Sequence, residues 1–208
     1  MSYLITIPAY NEAEVIKNTI LEVNRYIKIQ FPGLIEQNKV RICVAINGTT
    51  DATAEIVKAA QKNIPYLSFT VTQEKGRGIA LDRTWSSATE DVFLYVDSDL
   101  AYSLHDIGSM ISSYENEKGW HLAVASRRIA GSVVKRSTIR TFFTEGYNIL
   151  IKALFFNKFS DAQAGCKSIR KDVYLSIRHK VHNYNGWFFD TALLIYAEKS
   201  GYMIKDLR

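Results

Sequence analysis

The stretch Val92-Phe93-Leu94-Tyr95-Val96-Asp97-Ser98-Asp99 decides the fold. Its first five residues are apolar, β-branched or aromatic, and they read as a buried strand. Two carboxylates one residue apart at the end of that strand repel each other unless a cation or a proton offsets the charge. In an open α/β sheet the carboxyl edge of the strands is also where ligands bind. A divalent metal bridging these carboxylates to a diphosphate fits both facts. Taken alone, an Asp-x-Asp loop reads first as a cap for the next helix; the surrounding chain changes that weighting.

Upstream, strand and helix patterns alternate. Tyr3–Pro8 reads as a strand, and Asn11 opens a helix with Val15, Ile16, Ile20, Val23 and Ile27 on one face. Phe31-Pro32-Gly33 breaks it, Val40–Ile46 is a second strand and Asp51–Gln61 a helix. Tyr66–Thr72 is a third strand, followed after Gly76-Arg77-Gly78 by a helix through Ala88. Downstream of Asp99 come a helix at Leu104–Glu117 and a strand at Leu122–Ser126. The rhythm then changes to a basic loop, a long helix near Ser137–Phe156 and a short strand near Gly165–Ile169. A helix at Phe188–Lys199 and a strand at Tyr202–Ile204 close the chain. Alternation of this kind predicts an α/β protein with a mostly parallel, doubly wound sheet flanked by helices. At 208 residues and 47% hydrophobic composition, one core and a single domain over residues 1–208 are expected.

The formal net charge of +5 points to an anionic partner: a nucleotide, a phospholipid surface or nucleic acid. Between Glu117 and Glu145 there is no acidic residue, whereas Lys118, Arg127, Arg128, Lys135, Arg136 and Arg140 all fall inside. Apart from Trp120, aromatics are not interleaved across 118–136, which argues against nucleic acid as the partner. Cys43 and Cys166 are the only cysteines; Cys43 lies in a core strand, so a buried free thiol in a reducing, cytoplasmic setting is expected. The chain starts directly on a strand pattern without the regions of a signal peptide, and no stretch reaches the roughly 20 apolar residues that span a bilayer.

Three other strand ends carry turn chemistry. Pro8-Ala9-Tyr10-Asn11-Glu12 ends the first strand; Asn11 suits a helix cap and Tyr10 could stack on a planar ring. Asn47-Gly48-Thr49-Thr50-Asp51 ends the second, with Gly48 for a tight turn and Thr49 or Asp51 as a cap. Lys75-Gly76-Arg77-Gly78 ends the third, with small residues and positive charge suited to phosphates. Each of these is, alone, as compatible with an ordinary connecting turn.

Together, in this order, they resemble the GT-A fold of family 2 glycosyltransferases, whose pattern runs P-x-Y-N-E, D-D-G-S-T-D, a G-K-G-like turn and D-x-D. The counterparts are Pro8–Glu12, Ile46–Asp51, Gly76–Gly78 and Asp97–Asp99. Ser126-Arg127, Arg136-Ser137, Arg140, Tyr147-Asn148, Asp161–Lys167 and Trp187–Thr191 resemble the polyprenyl- or dolichyl-phosphate mannosyl- and glucosyltransferase branch. That resemblance covers nearly the whole chain. It implies inverting transfer of a hexose from a nucleoside-diphosphate sugar, GDP-mannose or UDP-glucose, to a polyprenyl phosphate lipid. The division of labour it implies is donor binding in 1–126 and acceptor binding in 127–208.

The resemblance assigns donor contacts to Pro8, Tyr10, Glu12, Asn47, Gly76, Arg77 and Asp97, and Mg²⁺ or Mn²⁺ to Asp97 and Asp99. It assigns the acceptor to Arg127, Arg136, Arg140, Thr144 and Lys167, with Asp99, Arg127 and Arg140 as the groups acting on the reacting phosphates. A lipid phosphate is already anionic, so positioning and stabilisation of the departing diphosphate suffice.

The helix after Arg140 carries Phe142, Phe143, Tyr147, Leu150, Ile151, Leu154, Phe155 and Phe156, more apolar surface than one core-facing stripe needs. It suits a helix lying on the cytoplasmic face of a membrane, or equally a core helix or the contact of a homo-oligomer. Three positions depart from the family pattern. Ile46 stands where an acid that receives a base N–H is usual, Ala101 where a metal-supporting Gln is frequent, and Ala192 where a Glu follows Phe-Asp-Thr. They leave open a shifted donor preference, weak metal dependence or a catalytically weak nucleotide-sugar-binding protein. Transfer to a glycan hydroxyl is a further alternative; it needs a general base, for which Asp190 is the one candidate. The chain ends right after its last strand, where relatives often continue, as a trimmed catalytic domain would.

Overall fold

The computed structural model describes residues 1–100, 104–116, 119–126, 138–186 and 188–207; over 138–145 and at 148 it describes the backbone alone. The strands are β1 (Tyr3–Ala9), β2 (Val40–Asn47), β3 (Leu67–Thr72), β4 (Val92–Val96), β5 (Leu122–Ala125), β6 (Cys166–Arg170) and β7 (Ile204–Leu207). The helices are α1 (Ile16–Gln30), α2 (Pro32–Glu36), α3 (Thr53–Gln61), α4 (Arg77–Ser86), α5 (Leu104–Asn116), α6 (Thr138–Phe155), α7 (Lys171–Val181) and α8 (Phe188–Lys199).

One seven-stranded sheet runs in the order β3-β2-β1-β4-β6-β5-β7. β1 pairs in parallel with both β2 and β4, β2 in parallel with β3, and β5 in parallel with β7. β6 lies antiparallel between β4 and β5. β1 and β4 are buried at every residue, which is why both read as continuous apolar runs. On one side α1 packs against α3 and α5; α4 packs against α7 and α8. Under α4, Trp85 stacks on Phe93 at 5.6 Å and meets Tyr174 edge-on at 5.1 Å, and its indole N–H donates to Thr6 Oγ1 at 3.0 Å. A buried indole donor is thus satisfied inside the core.

This order creates the site. The chain winds outward from β1 to β3 in one direction and resumes at β4 on the other side of β1. The crevice of a doubly wound sheet opens at such a reversal, beyond the carboxyl ends of the strands. Tyr10 and Asp97 follow those two strands, so they emerge side by side.

Several boundaries differ from the sequence reading. Asn11 does not start a helix: its backbone is left-handed, at φ 53°, and α1 begins only at Ile16. Its side-chain oxygen instead accepts the Thr50 N–H at 2.8 Å, tying the first strand's turn to the second's. Asp51 precedes α3, where its Oδ1 accepts the Thr53 N–H at 3.0 Å. Pro32 begins the short α2 rather than only ending α1. Helix α7 was not anticipated, although Val173, Tyr174, Ile177 and Val181 form a buried helical stripe. It follows β6 with no intervening turn residue, so no Gly or Pro marks the boundary. The last strand lies two residues later than expected because its partner is β5, whose register starts at Leu122 against Ile204. Cys43 and Cys166 are both buried free thiols, as expected for the first.

Candidate active site

A cleft of about 550 Å³ opens at the β1/β4 reversal. Pro8, Tyr10, Glu12, Asn47, Gly76, Arg77, Asp97 and Asp99 line it together. Those are the expected donor and metal residues, drawn from four strand ends into one place. Lys75, read in the sequence as part of a turn suited to phosphates, lines it too, as do Ser98, Asn185 and Gly186, which the sequence reading had not assigned. Asn185 and Gly186 lie over a hundred residues from the turn they face, and their only signal would have been the glycines opposite. A Cβ on Gly78 would stand 2.0 Å from the Tyr184 carbonyl oxygen, and one on Gly76 2.5 Å from that of Asn185. The glycines therefore admit the 184–186 backbone, besides shaping a turn.

Asn47 is a brace. Its Nδ2 donates to the Ala9 carbonyl at 3.0 Å and its Oδ1 accepts the Gly76 N–H at 2.9 Å. One buried amide thus holds the ends of β1 and β2 and the start of α4 at fixed separation. The Gly76 and Gly78 amides are engaged, the latter with the Asn185 carbonyl at 3.1 Å, so neither N–H faces the cleft for a phosphate. At the rim, the Lys75 ammonium sits 3.9 Å from the centre of the Tyr10 ring, a cation–π contact.

The floor is a chain of alternating charge. Arg77 Nη1 lies 3.4 Å from Asp97 Oδ1 and 3.0 Å from Asp190 Oδ2. Asp190, buried, also accepts the Tyr95 hydroxyl at its Oδ1, and the Lys167 ammonium stands 3.5 Å from that same oxygen. Burial would lower the Arg77 pKa, yet Asp190, Tyr95 and Asp97 outweigh it and hold the guanidinium above its ordinary value. Burial pushes the Asp97 carboxyl up; Arg77 opposes this while Asp190 and Asp99 add to it. Burial likewise pushes the Lys167 ammonium down, against the pull of Asp190.

This arrangement corrects two expectations. Lys167 was expected at the acceptor phosphate, but its side chain is only 1% exposed, and its ammonium donates to the Tyr95 hydroxyl at 3.1 Å and to the Ala164 carbonyl. A β6 residue pointing into the core beneath the cleft cannot also reach a ligand outside it. Asp190 as a general base meets the same obstacle, because both its oxygens are taken by Arg77, Tyr95 and Lys167. Arg127 and Arg136 lie outside the described residues, as do Ala101 and Trp187; Arg140 and Thr144 lie on α6, whose side chains there are not described. Ile46 is a buried core residue of β2, 1% exposed, and its side chain has no polar atom to offer a base.

The donor set suits a hard divalent cation in part. Asp97 and Asp99 offer carboxylate oxygens on the cleft wall, and the desolvation and repulsion acting on Asp97 are what a cation relieves. Among the described residues, no group of three or more His, Cys, Asp or Glu is clustered as a metal site, so Asp97 and Asp99 supply only part of a hard cation's oxygen shell.

A mostly parallel sheet with one antiparallel strand, helices on both faces and an Asp-x-Asp at the reversal point defines a GT-A glycosyltransferase fold. The chain belongs to glycosyl transferase family 2, whose family model matches residues 4–178. It is 27% identical over 203 residues to the glycosyltransferase AglD of Haloferax volcanii, covering 97% of this chain and 32% of that protein. It is 25% identical over 221 residues to the dolichyl-phosphate beta-glucosyltransferase of Saccharomyces cerevisiae, covering 98% of this chain and 64% of that one. A dolichol-phosphate mannosyltransferase of Pyrococcus furiosus is 26% identical over 177 residues, 83% of this chain and 47% of its own length. The chain is thus about a third to two thirds as long as these relatives. Among solved structures, glucosyl-3-phosphoglycerate synthase from Mycobacterium tuberculosis, with Mn²⁺, UDP and phosphoglyceric acid, superposes with a TM-score of 0.70 over 99% of this chain and 67% of its own, at 15% identity. The mannosyltransferase PcManGT from Pyrobaculum calidifontis, with GDP-Man and Mn²⁺, gives 0.63 over 99% and 54%, at 18% identity. At these identities the likeness establishes the fold.

Proposed function

We propose that this chain carries out the inverting transfer of a hexose from a nucleoside-diphosphate sugar to a polyprenyl phosphate, at the cytoplasmic face of a membrane. The observation that carries the reading is the convergence of Tyr10, Lys75, Arg77, Asp97 and Asp99 on one cleft. It offers an aromatic ring, two cations and two carboxylates, the groups needed to hold a base, a diphosphate and a metal. The relatives named for dolichyl-phosphate glucosyl and mannosyl transfer support the acceptor class, and the neighbours solved with UDP or GDP-Man and Mn²⁺ support the donor and the cofactor.

In this reading an oxygen of the lipid phosphate attacks the anomeric carbon opposite the leaving group. A new carbon–oxygen bond forms while the bond to the diphosphate breaks, and the electron pair departs with the nucleoside diphosphate. The attacking oxygen is anionic at neutral pH, so no residue has to remove a proton. This agrees with Asp190 being wholly engaged. Mg²⁺ or Mn²⁺ held by Asp97 and Asp99 would supply charge stabilisation to the leaving diphosphate. Arg77 and Lys75 border the same space and add positive charge to it. Arg127, Arg136 and Arg140, with Thr144, are the residues proposed to hold the acceptor in 127–208.

Arg127 and Arg140 test the acceptor assignment. Replacing either by Ala removes up to two charge-assisted hydrogen bonds, about 1.5–3 kcal/mol each. Transfer to polyprenyl phosphate is expected to fall more than tenfold, while UDP-glucose or GDP-mannose affinity, followed by thermal shift, stays close to wild type. Collapse of donor affinity instead would move these arginines to the other substrate.

The membrane contact is proposed for α6. Its inner stripe, Tyr147, Ile151 and Phe155, faces the core, and the Tyr147 hydroxyl meets Thr191 Oγ1 at 2.8 Å. Its other side leaves Ile149, Leu150 and Leu154 exposed, with Phe156 beyond it 87% exposed. Among the described residues no helix is long and apolar enough to cross a membrane. This outward apolar face, on a helix that follows the basic segment 127–136 in the chain, supports reversible binding to an anionic surface, where each Lys or Arg near the surface adds about 1 kcal/mol. Co-sedimentation should be stronger with anionic than neutral vesicles, fall with salt, and drop in a Leu150→Ser/Leu154→Ser variant. Binding that is indifferent to lipid charge, or a concentration-dependent dimer through this face, would reject the membrane reading.

A further inference from the structure

We propose that Arg77 is the resident cation of the cleft. It neutralises Asp97 while the cleft is empty, and so defers divalent-metal binding until a nucleoside diphosphate has entered. The inference rests on the donor and metal reading above and adds an order of binding to it. A guanidinium is charged at every accessible pH, so Arg77 cannot make way by losing a proton. Its Nη1 is 3.4 Å from Asp97 Oδ1, at the carboxylate proposed for the metal.

Nor is the guanidinium free to swing into solvent. Asp190 holds the same nitrogen at 3.0 Å, and Asp190 is itself locked from behind by Tyr95 and Lys167. The Arg77 side chain is 18% exposed, so its charge acts on Asp97 with little screening by water. A metal arriving alone would put two positive charges beside a fixed third one, for a share in a carboxylate that the guanidinium already contacts. A diphosphate reverses this balance. Its oxygens accept from the guanidinium and bring the negative charge and the oxygen ligands that two carboxylates lack. Arg77 thereby separates two states of Asp97: paired with the guanidinium when the cleft is empty, released to a metal when the diphosphate is present.

The test is Mn²⁺ binding followed by the electron paramagnetic resonance of the free ion, with no sugar and no turnover. Wild type is expected to bind Mn²⁺ at least tenfold more tightly with UDP or GDP than without. Arg77→Met should raise the affinity for Mn²⁺ alone by about tenfold and shrink the nucleotide's enhancement, while Arg77→Lys, which keeps the charge, should resemble wild type. Because Arg77→Met strips Asp190 of its partner, the Arg77→Met/Asp190→Asn pair provides a second variant with the same expected gain, and thermal melting verifies that each is folded. If wild type couples Mn²⁺ to nucleotide but neither neutral variant gains affinity for Mn²⁺ alone, Arg77 does not set the order and the proposal is overturned. If wild type takes up no Mn²⁺ with either nucleotide, the metal reading itself falls, and this inference with it.

Discussion

Replacing Asp99 or Asp97 by Asn should lower hexose transfer by about two to three orders of magnitude, the loss typical when a group that stabilises developing charge is removed. Both side chains border the cleft at the end of β4. The Asn amide keeps the shape and removes the charge, so the effect reports electrostatics rather than packing. The two variants should differ in their side effects. Asp99 is exposed, so its loss should leave the melting temperature near wild type. Asp97 also pairs with Arg77, so its loss removes one carboxylate from the guanidinium and should shift stability as well. Nucleoside-diphosphate release assayed with and without a chelator checks the point. Undiminished turnover in Asp99→Asn, together with indifference to the chelator, would remove the metal from the mechanism.

The largest expected effect on stability is at Asp190. Asp190→Ala should destabilise the fold by about 3–5 kcal/mol, because it strands the buried charge of Lys167 and half-strands that of Arg77. It also takes one of two acceptors from the Tyr95 hydroxyl, leaving the Ala164 carbonyl at 3.2 Å; burial and Asp190 together push that hydroxyl's pKa up. Asp190→Asn should cost less, since the amide oxygen can still accept from Arg77 or Tyr95. Urea unfolding of the two variants measures the difference. A change under about 1 kcal/mol in Asp190→Ala would mean that the network contributes little to the fold, and that Asp190 is free to take part in chemistry after all.

Most of the sheet was legible in the chain because burial on both faces leaves a plain trace. β1, β2 and β4 are runs of apolar residues with few polar interruptions, bounded by the Tyr10-Asn11 turn, Gly48 and the Asp97-Ser98-Asp99 turn. That the residues after these strands line one cleft was legible for the same reason. In a parallel sheet every carboxyl end faces one edge, so residues placed just after the strands must meet there. Elements whose definition depends on a distant partner were not legible. α7 abuts β6 without a breaker, and β7 takes its register from β5. The left-handed Asn11 serves a neighbouring turn rather than its own helix.

Taken by itself, the order of strands, turns and carboxylates determined the α/β architecture and the edge at which the cleft opens. Local propensity and burial periodicity act within a few residues and are written in the sequence. What only the tertiary structure decided is which charges are available in that edge. Lys167 and Asp190 carry the same side chains whether they face a ligand or the core. The packing of β6 and α8 beneath the cleft turns them inward, where desolvation forces them to pair with Tyr95 and Arg77. Arg77, in turn, is held between Asp97 and an Asp190 that lies 113 residues further along the chain. The pairing of buried charges is settled by distances between residues far apart in the chain, and a linear sequence does not contain those distances.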